Sequence, residues 1–157
     1  MIRKIKIIVL LFLPILLLSC GFKSVHQKGK SKIYLQNINI VGEKRIAYTL
    51  KNNISLISNK NSENKYDIQV KIDKRKKTKI KNLSGKTTRY SLSLSANMTL
   101  KDINKNTEVK KIFTQNTDYE VSTIHSDTIN NEKNATKNIL QQLSNDMINF
   151  IVITTRY

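Results

Sequence analysis

Apolar positions recur along the chain with two different periods, and the switches between them set the order of elements. Ile33 to Val41 alternates imperfectly, with Ile33, Leu35, Asn37 and Asn39 on one side and Tyr34, Ile38 and Ile40 on the other; this predicts a first strand. From Glu43 the period lengthens. Ile46, Leu50, Ile54 and Ile57, joined by Ala47, fall on one stripe and predict an amphipathic helix over 43–58. The polar run Ser58-Asn59-Lys60-Asn61-Ser62 ends it. Tyr66, Ile68, Val70 and Ile72 then alternate with Asp67, Gln69 and Lys71, as in a half-buried strand.

A basic hairpin follows, with Ser84-Gly85 near its tip as the turn signal. Tyr90, Leu92, Leu94, Ala96, Met98 and Leu100 alternate with Ser91, Ser93, Ser95, Asn97 and Thr99, which gives one apolar face and one small, hydroxylated face. A turn is expected over Asp102 to Asn106 and a fourth strand over Thr107 to Tyr119. The alternation of that strand breaks around Ile112-Phe113, which suggests a bulge or a change of register. Ser122 to Thr128, holding His125, reads as a loop. In the closing helix Ala135, Ile139, Leu143, Met147 and Phe150/Ile151 share one stripe, with Ser126 or Asp127 as cap. The β-rich tail Ile151 to Thr155 is expected to fray or bend away. The order β-α-β-β-β-α predicts an α+β fold, a two-layer sandwich of one four-stranded, mainly antiparallel sheet with two helices on one face.

Ahead of this domain stands a different pattern. Arg3, Lys4 and Lys6 lead into an apolar run from Ile7 to Leu18 that contains Pro14 and is too short to span a bilayer as a stable helix. It ends in Leu17-Leu18-Ser19-Cys20-Gly21, with the only cysteine of the chain. A leucine, a small residue and then cysteine is the pattern a lipoprotein signal peptidase reads. Residues 1–19 are therefore expected to be a lipoprotein signal peptide, and Cys20 the acylated anchor with its thiol consumed. Residues 20–32 would form a polar tether holding His26, and 33–157 a single domain. Gly21 lacks the aspartate of inner-membrane retention, so the expected address is the periplasmic side of an outer membrane.

Charge narrows the choice of partner. The chain carries 28 Lys and Arg against 11 Asp and Glu, and without residues 1–19 the remaining 138 residues have a net charge of +14. Such a domain seeks an anionic surface. Nine of the cations (Lys71, Lys74, Arg75, Lys76, Lys77, Lys79, Lys81, Lys86 and Arg89) lie in the hairpin against a single acid, Asp73. One reading is a solvated loop in a lysine-rich protein. The other is that Lys74, Arg75, Lys76, Lys77, Lys79, Lys81, Lys86 and Arg89 meet phosphates or carboxylates, with charge reversal at Lys76, Lys77 and Lys79 as the test. Lipopolysaccharide (LPS) is the polyanion an outer-membrane lipoprotein would meet. Nucleic acid fits poorly, since the chain is exported and its aromatics do not interleave with the basic run.

Catalytic patterns are missing. The two histidines lie apart, no H-E-x-x-H spacing is present, and no G-x-S-x-G, phosphate-cradling loop or dinucleotide fingerprint occurs. No enzyme activity, cofactor or metal is expected. The competing readings are a generic envelope lipoprotein that scaffolds another anionic polymer or protein complex, and an exported hydrolase, which would need an acid or histidine in a cleft.

Several short motifs in order resemble the LptE family of LPS-assembly lipoproteins. Cys20-Gly21-Phe22 opens the mature chain; Thr88-Arg89-Tyr90-Ser91-Leu92-Ser93-Leu94 resembles the family's "TRY-x-L" strand; Leu100-Lys101-Asp102 resembles its "L-x-D" turn. Asp118-Tyr119-Glu120-Val121 resembles the end of the next strand, and Ala135, Ile139, Leu143 and Asp146 match the closing helix in spacing. The resemblance implies a two-layer α/β sandwich seated in the lumen of a large outer-membrane β-barrel, the LPS translocon. There it would plug the barrel, aid its assembly and bind LPS on the way to the outer leaflet. Arg89, with Tyr90 beside it, is the motif-matched residue for LPS contact; pairing of Arg89 with a neighbouring strand remains the alternative.

Overall fold

The computed structural model describes residues 32–156, so the signal segment, Cys20 and most of the tether lie outside the described residues. The elements are β1 (Tyr34–Val41), α1 (Lys44–Ser55), β2 (Lys65–Lys81), β3 (Thr87–Asp102), β4 (Thr107–Glu120) and α2 (His125–Thr154). They form one sheet in the order β1-β2-β3-β4, with β1 parallel to β2 and the other neighbours antiparallel. The parallel pair follows from connectivity: α1 carries the chain back across the sheet between β1 and β2, whereas tight turns join the later strands. The α+β order expected from the sequence is the one observed.

Both helices bury their stripes on the same apolar sheet face. Leu50 and Ile54 of α1 and Ile139, Leu143, Met147 and Ile151 of α2 meet Ile68, Leu92, Leu94 and Met98, all essentially removed from water. The helices also touch each other through a polar pair. Asn53 donates to the hydroxyl of buried Ser144 at 3.1 Å, and that hydroxyl donates to the Leu140 carbonyl at 2.8 Å. The imperfect alternation of β1 comes from a register shift between Leu35 and Asn37. Leu35 is buried before the shift, and Ile38 and Ile40 face the core after it. The 58–64 loop clamps the start of this strand: Asn59 N–H donates to the Ile33 carbonyl at 2.8 Å, and Asn64 Nδ2 to the Lys32 carbonyl at 3.1 Å.

The basic hairpin is observed as expected, with β2 continuing to Lys81 so that the basic run itself forms ladder. Four expectations need correction. Helix α1 is shorter than 43–58, because residues past Ser55 turn to clamp β1. β4 has no bulge at Ile112-Phe113, since its register with β3 is continuous from Thr107 to Glu120. Phe113 stays in phase with the core and Ile112 simply faces outward, 68% exposed. His125 is not in a loop but opens α2, so Ser126 and Asp127 lie within its first turn and neither is the cap; Ile124 holds that position without a side-chain bond. Ser122 ties this entry instead, its N–H donating to Thr128 Oγ1 at 2.9 Å and its hydroxyl accepting from Ile124 N–H at 3.1 Å. Finally, the tail does not fray: the helix runs to Thr154 because Ile151 is fully buried.

Candidate functional site

The inner face of β2 changes character partway along. Ile68, Val70 and Ile72 are buried, but the next residues of the same parity are Lys74, Lys76 and Thr78. On β2 the apolar face therefore stops at Ile72 and the strand runs on as a basic ladder, while on β3 the core continues through buried Leu94 and Leu92, opposite Lys74 and Lys76. What α2 offers there is an acid. Glu132 Oε1 accepts from Lys74 Nζ at 3.2 Å, and Oε2 accepts from Lys76 Nζ at 2.7 Å and from the Tyr119 hydroxyl at 2.7 Å. Lys76 Nζ also stands 4.3 Å from the Tyr90 ring centre and 5.4 Å from that of Tyr119, and the two rings stack 5.6 Å apart. The Lys76 bond, resisted by burial and aided by Tyr119 and Lys74, holds the Glu132 carboxyl down at about 2. Burial pulls the Lys76 ammonium down, but its bonds to Glu132 and Tyr119 more than reverse this and raise it to about 12. Burial also raises the Tyr119 phenol. The cluster clasps the base of the hairpin to α2.

Three more candidates are paired on or beside the open face. Arg75 Nε meets Asp73 Oδ2 at 2.7 Å, and Arg89 Nη2 meets Glu120 Oε1 at 2.6 Å across adjoining strands. Lys79 pairs with Asp118, and that bond is the main cause holding the Asp118 carboxyl below its ordinary range. Arg89 thus stands where the strand-pairing alternative puts it.

Lys77, Lys81 and Lys86 form no ion pair among the described residues. Lys81 and Lys86 flank a turn built by its own sequence. Asn82 Oδ1 accepts from Lys86 N–H at 2.9 Å and from the Ser84 hydroxyl at 2.8 Å, and Gly85 takes φ +77°, a conformation that favours glycine. Between these lysines Leu83 is fully exposed and Ile80 is 44% exposed. The tip therefore presents cations and aliphatic surface together on a turn that its own hydrogen bonds fix in place.

The structure thus brings Lys74 and Lys76 together on one acid, disperses Arg75, Lys79 and Arg89 into separate pairs, and leaves Lys77, Lys81 and Lys86 to solvent. Sequence reasoning passed over Glu132, although it lies three residues before Ala135 at helical spacing and so on the same inner stripe. It also passed over Ile80 and Leu83, two aliphatic residues inside a basic run. A depression of about 430 Å³ lies where β4 meets α2, lined by Glu120, Val121, Ser122, Asp127, Asn130 and Asn131. No group of three or more His, Cys, Asp or Glu suited to a metal occurs among the described residues.

No protein-family model and no curated protein matches the chain. Solved structures do share its fold. The crystal structure of a Caulobacter crescentus CB15 protein assigned as a lipoprotein matches with a TM-score of 0.57 at 15% identity, covering 78% of this chain and 89% of that one. The solution structure of an uncharacterized lipoprotein B from Nitrosomonas europaea gives a TM-score of 0.54 at 18% identity, covering 86% of this chain and 92% of that one. Rare lipoprotein B from Shewanella oneidensis, at 12% identity over 73% of this chain and 98% of that one, reaches a TM-score of 0.44, too low to establish a common fold.

Proposed function

We propose that the chain is a non-catalytic outer-membrane lipoprotein of the LptE kind, anchored on the periplasmic side through acylated Cys20. It engages LPS through its hairpin and seats in a β-barrel translocon, which it helps assemble and plugs. The observation that carries this reading is the hairpin tip, where Lys81 and Lys86 flank an exposed Leu83 on a rigid turn. A polymer with phosphate alone gives the aliphatic residues nothing to bury against. A phosphorylated glycolipid offers anions and acyl chains side by side, and charge-assisted bonds with apolar contact then add.

The dimensions suit a plug. β2 is 17 residues long, about 55 Å of strand, and its start lies beside the end where the tether enters, with the hairpin tip at the other. With the tether joining the domain at Lys32 and the tip cations at the opposite end of β2, the domain can reach into a lumen while tied to the inner leaflet. The fold shared with two solved lipoprotein structures is consistent with this reading. The scaffold alternative draws on a specific observation too, since five of the eight candidate cations are ion-paired within the protein, with four carboxylates between them.

Purification of the acylated protein from outer membranes tests the reading. A stoichiometric barrel protein and bound LPS are expected together. Recovery of a different complex with no barrel would favour the scaffold.

A further inference from the structure

β1 covers only part of β2. The two strands pair up to Val41 opposite Lys71, while β3 accompanies β2 as far as Lys81. At Gly42 the chain turns off the sheet with φ +152°, so close over Ile72 that a Cβ there would stand 2.4 Å from Ile72 Cγ2. Beyond this point one edge of β2 is bare among the described residues.

The direction of its backbone groups follows from two bonds. The Asn64 carbonyl accepts from Tyr34 N–H on the β1 side, and the Lys65 carbonyl accepts from Ile103 N–H on the β3 side. Strand groups alternate, and the β2–β3 register is unbroken from Tyr66 to Thr78. Lys74, Lys76 and Thr78 therefore turn their N–H and C=O outward. Register shifts around Ile80 close the slot at its other end. What remains, Asp73 to Thr78, is six residues or about 20 Å, an ordinary strand length.

We infer that this bare edge of β2 receives an extended acidic segment of a partner protein, which adds as a strand in line with β1. Charge selects the occupant. The six residues hold four cations. With Asp73 and the Glu132 that Lys74 and Lys76 share counted against them, the edge stays net positive, so two copies of it repel, which is how sheet edges avoid self-pairing. An incoming strand rich in glutamate or aspartate gains main-chain bonds from the edge and favourable neighbours in Arg75 and Lys77. The inference does not depend on LPS, since it uses backbone along the side of the hairpin and not the side chains of its tip.

The test is amide exchange followed by NMR on the full-length acylated protein in detergent micelles. The probe is an eight-residue peptide of alternating glutamate and valine. The peptide is expected to slow exchange at Lys74, Lys76 and Thr78 about tenfold or more and to leave the already bonded Arg75 and Lys77 unchanged. A lysine–valine peptide is expected to do nothing. No slowing at about 1 mM acidic peptide, or slowing along β4 instead, overturns the inference. Protection that grows with protein concentration alone would mean a second copy occupies the edge, and overturns it too. Thr78→Pro removes one outward N–H without touching the β2–β3 ladder, and is expected to weaken peptide binding about tenfold while LPS binding persists. Unchanged peptide affinity in that variant contradicts the proposal.

Discussion

β2 and β3 run side by side for their whole length, yet the two ends of their ladder are built on different chemistry. At the tether end the inner positions of β2 are Ile68, Val70 and Ile72, opposed by Leu100, Met98 and Ala96 and covered by both helices. At the hairpin end the same parity holds Lys74, Lys76 and Thr78, and the nearest helical residue is an acid. Backbone geometry hardly changes; only the side chains do. One end is packed from both strands and tolerates no loss of volume. At the other, β3 still packs through Leu94 and Leu92, while β2 contributes ion pairs open to water and keeps cations to spare. A single strand pair thus supplies a stable body and a charged arm, and the boundary between them is one residue pair, Ile72 and Lys74.

The contrast predicts a gradient of effects. Leu143→Ala, in the fully buried layer under the sheet, is expected to cost about 3 kcal/mol in chemical denaturation; a cost below about 1 kcal/mol would mean the packed end is not where stability resides. Gly42→Ala is expected to cost about 2 kcal/mol, because the new Cβ collides with Ile72 at a backbone angle that disfavours side chains. Glu132→Gln comes next at about 1 kcal/mol, small because solvent screens the clasp.

The clasp also sets a pH window. Glu132 is lowered from 4.5 to about 2, so its contribution is complete above pH 4.5 and lost as pH falls through 2. Lys76 is raised from 10.5 to about 12, so its contribution is present below pH 10.5 and lost as pH rises through 12. In Glu132→Gln the acid limb of the stability profile should flatten; an unchanged limb would remove the clasp from the account. The smallest effect belongs to the tip. Leu83→Ser is expected to shift stability by less than about 0.5 kcal/mol while weakening attachment to LPS vesicles, and a large loss of stability would mean that Leu83 is packed in solution.

Legibility in the sequence followed the same divide. Where side chains pack, periodicity carries the information: Leu92, Leu94 and Met98 announce their face, and the stripe from Ala135 to Met147 announces its helix. Where ions replace packing, the pattern goes silent. Lys74 and Lys76 continue the alternation of β2 with no apolar signal, so the sequence marks a hairpin there but not which of its cations face inward. Counter-ions are harder still, because Glu132 and Asp118 lie 56 and 39 residues from the lysines they meet. Only the fold brings them together. Local patterns also mislead where one exposed residue interrupts them, as Ile112 does in β4. The α2 entry was obscure because its bonds come from Ser122, outside the helix, while Ser126 and Asp127 look like better caps.

The central claim is that the cations left unpaired at the far end of the sheet are the ones that meet LPS. It is tested most directly by titrating LPS against the full-length acylated protein and against Lys77→Glu/Lys81→Glu/Lys86→Glu at several salt concentrations. The account predicts binding at least about tenfold weaker in the triple variant, a shallower dependence on salt, and an unchanged melting profile. Equal affinity and an equal salt dependence in the two proteins would contradict it.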